Sequence, residues 1–257
     1  MSRRIAVTGA ASGIGQALAR QLTEAGDTVI GIDLKDADIC ADLGAATGRA
    51  SAVEGVLEQC GGVLDALVLC AGINAPSPAL ISVNYFGVTA LAEGLRPALA
   101  AARAPRAAVV GSISGTQPVD DEVVAACLAG DEAAALARAE AVMGEGPQKL
   151  YPSSKAALAQ WLRRTCVAPG WADAGIPLNA VAPGVVRTPM SAALFADERM
   201  KAVMDRAVPM PLGGYAGPEV IAASLAWLIS PANTHMTGQV LYVDGGAEVS
   251  LRGSSVF

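Results

Sequence analysis

Short, nearly unbroken apolar runs alternate along this chain with longer stretches in which Ala and Leu recur at helical spacing. The runs at 4–8, 28–33, 66–70, 107–112, 178–181 and 240–243 carry little polar alternation, which predicts strands buried on both faces of a sheet. The stretches at 14–25, 46–60, 83–101, 152–167 and 217–229 predict helices between them. Strand and helix taking turns in this way predicts an α/β fold, a Rossmann-type doubly wound parallel sheet with helices on both faces. No repeat and no linker divides the chain, so residues 1–257 read as a single domain, a length such domains commonly reach.

One segment breaks the alternation. Residues 118–146 are rich in Ala, Glu and Asp, with Gly130-Asp131 separating two helical patterns. The segment is too short for an autonomous domain and reads as a helical insertion within the larger one.

Composition narrows the function classes. The net charge is −6 and no basic cluster exists, which argues against nucleic acid as a partner. The stretch without charge from Asp65 to Glu93 is long enough to suggest a membrane span. Gly72, Asn74, Pro76, Pro78, Ser82 and Asn84 interrupt it, so it reads as strand, loop and helix start, and no membrane partner is expected. The N-terminus turns glycine-rich too early for a secretory signal. Five cysteines without a Cys-x-x-Cys pair predict reduced thiols and a cytoplasmic location. A single histidine, His235, has no Cys or carboxylate at ligand spacing, so no catalytic metal is expected.

Two sets of residues carry chemistry. Thr8-Gly9-Ala10-Ala11-Ser12-Gly13-Ile14-Gly15 follows a predicted strand and opens a predicted helix. Glycines there allow a tight turn and close backbone approach to a pyrophosphate, while the helix start offers amides and a partial positive charge. Asp33, at the end of the second predicted strand, is placed to accept hydrogen bonds from an adenosine ribose and to repel a 2′-phosphate. NAD is therefore expected over NADP, although Lys35 stands close by. The second set is Tyr151 and Lys155, one helical turn apart, with Ser112 upstream at the end of a predicted strand. Hydride delivery to a ketone builds alkoxide charge that needs a proton donor, and an ammonium beside a phenol favours its phenolate. Ser114 competes with Ser112 for the task of holding the substrate oxygen.

Together these motifs resemble the short-chain dehydrogenase/reductase family. The resemblance rests on residues 8–15, Asp33, Asp42-Leu43, Cys70-Ala71-Gly72, Asn84, Ser112, 151–155, 183–188 and Asp244-Gly245-Gly246. It implies a nicotinamide cofactor and catalysis by Asn84, Ser112, Tyr151 and Lys155. Asn84 is implied to bend its helix and hold a proton relay, with a plain helix cap as the alternative. Cofactor contacts are implied for Gly9, Ser12, Gly13, Ile14, Gly15, Asp33, Asp42, Leu43, Ala71, Gly72, Tyr151, Lys155, Val186 and Thr188. Ser112 is preferred over Ser114 once Gly115 is matched to the family pattern. Pro152 is expected at the first helical position, where proline is tolerated. Residues 189–214, rich in Met and Pro, suit an adaptable apolar lid.

Departures from the pattern narrow the resemblance. Cys70 stands where the family usually has Asn, and the span from Ser112 to Tyr151 is long because of the insertion. The insertion, Val-Asn-Tyr-Phe-Gly and a chain end in Phe257 are similar to the bacterial 3α-hydroxysteroid dehydrogenase/carbonyl reductase branch. The expected substrate is a small hydrophobic secondary alcohol or ketone, first a hydroxysteroid, then a cyclic terpenoid or aromatic ketone. A non-catalytic nucleotide-sensing regulator is the alternative from another class. Reduction of an acyl-carrier substrate is disfavoured, since no basic patch exists for an acidic carrier. A homodimer or homotetramer is expected, with the insertion covering the interface often built on the Tyr151 helix.

Overall fold

The computed structural model describes residues 2–256, with the side chains of Ala193 and Leu194 left aside; Phe257 lies outside the described residues. Seven parallel strands form one sheet: β1 (Arg4–Thr8), β2 (Thr28–Asp33), β3 (Ile39–Cys40), β4 (Ala66–Leu69), β5 (Arg106–Val110), β6 (Leu178–Pro183) and β7 (Val240–Val243), in the order β3-β2-β1-β4-β5-β6-β7. Every residue of β4 and of β6 is buried, which is why these runs are apolar apart from Asn179.

Helices cover both faces. α1 (Gly13–Glu24) and α10 (Pro218–Leu228) seal one face through Leu18, Leu22, Ile221 and Leu225. The other face is covered by α2 (Ala46–Cys60), α4 (Val88–Ala100) and α7 (Leu150–Thr165), with Val56, Leu91, Leu95, Leu158 and Leu162 buried. A short α3 (Ala79–Ile81) leads into a π-helical turn at Ser82–Gly87 that continues as α4. The insertion forms α5 (Asp121–Ala129) and α6 (Glu132–Glu145). Gly130 joins them in a left-handed conformation (φ 74°), and Asp120 and Asp131 cap their starts by accepting from Val123 N and Ala134 N. After β6 come α8 (Ala192–Phe195) and α9 (Glu198–Ala207), and α11 (Ala247–Arg252) follows β7.

The sheet order reverses at β1, whose neighbours are β2 and β4. In such sheets the C-terminal ends of the strands beside the reversal leave a crevice for a ligand. Several boundaries differ from expectation. The expected strand 107–112 ends at Val110, because Gly111 and Ser112 leave the ladder to open a 3₁₀ turn at Ile113–Thr116. The strand expected at 66–70 stops at Leu69, and β3 was not expected, being two residues long. The Tyr151 helix starts at Leu150, so Pro152 is its third residue rather than its first. That position is equally tolerant, since the amides of the first turn have no helical partner. No described helix is long and apolar enough to cross a membrane.

Candidate active site

Strand ends and the turns after them shape a cavity of about 300 Å³. Its floor is the glycine-rich loop after β1. Gly9 (φ 68°) sits so close to the turn after β4 that a Cβ there would lie 3.1 Å from the Ala71 backbone. Gly15 is tighter still: its Cβ would meet the Gly9 carbonyl oxygen at 2.2 Å. The Thr8 hydroxyl accepts from Ala71 N at 2.9 Å and locks the two turns together. Ser12 precedes α1 without a side-chain cap, so the first amides of the helix are not taken by its hydroxyl. Asp33 braces the loop from β2: Oδ2 accepts from Ala11 N (2.9 Å) and Oδ1 from Leu34 N (2.7 Å).

Every residue assigned a cofactor contact lines this cavity: Gly9, Ser12, Gly13, Ile14, Gly15, Asp33, Asp42, Leu43, Ala71, Gly72, Tyr151, Lys155, Val186 and Thr188. Ser112 and Ser114 line it too. Asn84 does not; it is fully buried behind the wall. It is the third residue of the π-helical turn, inside a helix and not at its cap. Its Oδ1 accepts from Ile73 N (2.8 Å), and its Nδ2 donates to Ile73 O (2.9 Å) and Ser154 Oγ (3.3 Å). The widened turn thus turns a helical side chain towards the strand-end loop, a common use of π turns. A Cβ on Gly72 would lie 3.1 Å from Asn84 Oδ1 and 3.7 Å from Lys155 Nζ, so Gly72 is the gap that lets these two groups approach the cavity wall.

Tyr151 and Lys155 occupy one side of α7. Lys155 is buried, with Nζ 5.8 Å from the Tyr151 ring centroid and donating to Val110 O at 2.9 Å. Burial lowers its ammonium to about 8, with Cys70 opposing the shift. Burial also raises the Tyr151 phenol, and the nearby Ser112 hydroxyl works against that rise. The expected lowering of the phenol by Lys155 is not found: burial dominates, and Ser112 is the group that opposes it. Ser112 Oγ accepts from Ser114 N at 3.1 Å and so caps the 3₁₀ turn, which packs against α7. Gly115 makes that approach possible, since its Cβ would stand 3.2 Å from the Lys155 carbonyl carbon. Cys70 lines the cavity with its thiol pushed up to about 12 by burial, so it stays neutral at physiological pH.

The remaining wall is apolar. Ile113, Val185, Pro189, Met190, Met204 and Val208 line it, the last four from the segment around α8 and α9. The chain returning from α9 is fastened to the end of β6. Val185 N donates to Met210 Sδ (3.3 Å), Arg187 N to Ala216 O (2.9 Å) and Ala216 N to Val185 O (3.3 Å). Nothing in residue type marks Val110, whose role is a carbonyl oxygen, or Met204 and Val208. A backbone role leaves no residue-type signal, and the two apolar side chains belong to a segment whose composition predicts only an adaptable lid.

The nucleotide loop at the sheet reversal and the buried Tyr–Lys pair define a dinucleotide-binding enzyme of the doubly wound class. A nicotinamide cofactor fits the residues present: the glycine cradle leaves no room for a Cβ, helix-start amides face it, and carboxylates flank one end. Comparison with known proteins gives the family. A family model described as short chain dehydrogenase matches residues 3–126, and one described as Enoyl-(Acyl carrier protein) reductase matches 130–248. The 3-alpha-hydroxysteroid dehydrogenase/carbonyl reductase of Comamonas testosteroni is 38% identical over 253 residues, covering 96% of this chain and 97% of that one. A cis-4-hydroxycyclohexanecarboxylate dehydrogenase of Sinomonas cyclohexanicum is 32% identical, covering 95% and 96%. The crystal structure of the 3-alpha-hydroxysteroid dehydrogenase from Pseudomonas sp. B-0831 complexed with NADH superposes with a TM-score of 0.91 at 46% identity, covering 98% of this chain and all of that one. The chain belongs to the short-chain dehydrogenase/reductase family. It is an oxidoreductase of the alcohol–carbonyl type that uses a nicotinamide cofactor.

Proposed function

We propose that this protein is an NAD-dependent dehydrogenase/reductase of hydrophobic secondary alcohols and ketones, with a hydroxysteroid or its ketone as first candidate. The observation that carries this reading is one cavity with two unlike ends: Asp33 and Asp42 at one, and an apolar wall facing Tyr151 and Ser112 at the other. Among the described residues, Lys155 is the only lysine or arginine lining that cavity, which favours NAD over a cofactor bearing a 2′-phosphate. The names of the Comamonas and Pseudomonas relatives support a steroid, and the Sinomonas relative supports the second reading, another cyclic alcohol.

The cofactor supplies or takes up the hydride; the side chains handle the proton. Burial keeps the Tyr151 phenol protonated at neutral pH, ready to donate to the oxygen of a carbonyl as charge develops there. Ser112 is the second hydrogen-bonding group for that oxygen. Lys155 supplies positive charge beside the phenol, and Asn84 holds the Ile73 backbone and so supports the relay that restores the proton. Tyr151→Phe should lower kcat by about two to four orders of magnitude while NADH still binds. Wild-type turnover in that variant, or a higher kcat/KM with NADPH than with NADH, would overturn the respective half of the proposal.

A homodimer is proposed as the working state. The insertion covers α7, where Ser153 Oγ accepts from Asp120 N and donates to Lys149 O. On α10, Val220 and Trp227 are nearly half exposed and seven residues apart, which puts two large apolar side chains on one outward face. Light scattering on Trp227→Asp should report a monomer; an unchanged mass would remove this face from consideration.

A further inference from the structure

We propose that the helical insertion positions the adenosine end of the nucleotide site, acting through Glu132 on Arg49. The proposal rests on the nucleotide-site reading above. Glu132 is the first residue of α6, and its carboxylate accepts two bonds from the Arg49 guanidinium: Nη2 to Oε1 at 2.6 Å and Nη1 to Oε2 at 2.9 Å. Paired bonds of this kind fix orientation as well as distance. Arg49 projects from α2 and is buried. Its remaining contacts are to the backbone of the loop before α2: Nε donates to Leu43 O (3.0 Å) and Nη2 to Gly44 O (3.1 Å). Asp42 and Leu43 are the residues of that loop that line the cavity.

The loop has little freedom on its other side. A Cβ on Gly87 would meet Leu43 O at 3.1 Å, and one on Gly44 would meet Val83 Cγ2 at 3.3 Å, so it is wedged against the π-helical turn. Ser82, the first residue of that turn, acts on Glu132 as well, favouring its ionised form. Burial opposes its ionisation, but Arg49 and Ser82 outweigh burial and hold the carboxyl below the ordinary range. One carboxylate from the insertion therefore holds the loop at the adenosine end, through Arg49 and its bonds to Leu43 and Gly44. Without its charge, the buried guanidinium keeps only neutral acceptors and is drawn towards water, taking its hold on Leu43 and Gly44 with it.

The test is calorimetric titration of ADP into the full chain without substrate, compared between wild type and Glu132→Gln. A loss of affinity of about tenfold is expected, with kcat at saturating cofactor within about twofold of wild type. Arg138→Gln serves as the control for a general loosening of the insertion. It removes the pairs of Arg138 with Asp120 and Glu145 (2.6 and 2.8 Å) and leaves Glu132 in place, so ADP affinity should not change. Should Glu132→Gln not fold, Glu132→Asp, which keeps the charge and shortens its reach, takes its place with the same expected direction. Equal ADP affinity in wild type and the Glu132 variant overturns this proposal alone, as does an equal loss in Arg138→Gln. No ADP binding by wild type overturns the nucleotide reading and this proposal with it.

Discussion

On one side of the cavity, residues 8–15, 70–72 and 110–112 present mainly backbone, held at the ends of parallel strands and approached closely through glycines. On the other, residues 189–208 present Met190 from a 3₁₀ turn, Met204 from α9 and Val208 just beyond it, and α9 has no buried residue at all. The first wall rests on the two large cores of the sheet, with Ile5, Val7, Leu67 and Leu69 directly beneath. The second rests on a small satellite cluster around Ile113, Val185, Val208 and Ala247. A wall of backbone has one shape, which suits a fixed cofactor. A wall of thioethers on lightly packed helices adapts, which suits a substrate class broader than one molecule.

The contrast breaks most visibly at Gly15. A methyl group there would sit 2.2 Å from a backbone oxygen, and no side-chain rotation relieves that clash. Gly15→Ala is expected to lose about 2 kcal/mol of stability and more than tenfold in ADP affinity, read by urea unfolding and calorimetry. Affinity within twofold of wild type would show that the loop can move away from its helix, and that the backbone wall is less fixed than its packing implies.

Lys155 sharpens the same comparison, because it is the charge buried within the rigid wall. Its folded pKa, about 8, lies below the usual value of 10.5. The unfolded chain therefore binds the proton more tightly, so stability should rise as pH climbs from about 8 to 10.5, and the cost of burying the charge is fully present below 8. Lys155→Met is expected to cut kcat by about two orders of magnitude and yet unfold about 1–3 kcal/mol later at pH 7. The gain should fade above pH 10 in denaturation series compared with wild type. A variant less stable at pH 7 would mean that the bond to Val110 O more than offsets burial.

What could be read in the sequence follows the same division. Thr8, Gly9, Gly13, Gly15 and Asp33 were legible because a strand, a glycine turn and an acid each have one physical use in that order. Tyr151 and Lys155 were legible because a helix turn brings them together whatever surrounds it. The pair Arg49 and Glu132 was not, since 83 residues separate partners that meet only once the insertion has packed beside the π-helical turn. Nor was the placement of Ser112 beyond the strand, because Gly111-Ser112 can either extend a strand or open a turn, and here the ladder ends at Val110. The tilt of the Tyr151 balance towards burial likewise depends on packing that no spacing encodes.

The smallest expected effects belong to the adaptable wall, and they are the most selective. Met204 lines the cavity from α9 but is only partly buried, so removing its side chain takes little from the core. Met204→Ala should change stability by no more than about 0.5 kcal/mol. ADP affinity should not change either, because the residue lies on the wall opposite the glycine loop. Its loss should appear instead in KM for the ketone: raised about three- to tenfold for a bulky polycyclic ketone and nearly unchanged for cyclohexanone, which has too little surface to reach the lid. Steady-state kinetics with the two ketones at saturating NADH separates the possibilities. If both KM values rise equally, Met204 acts on the reacting end of the cavity and the lid is part of the rigid site. If neither moves, the apolar wall contributes nothing to substrate choice, and specificity must come from the Tyr151 and Ser112 side instead.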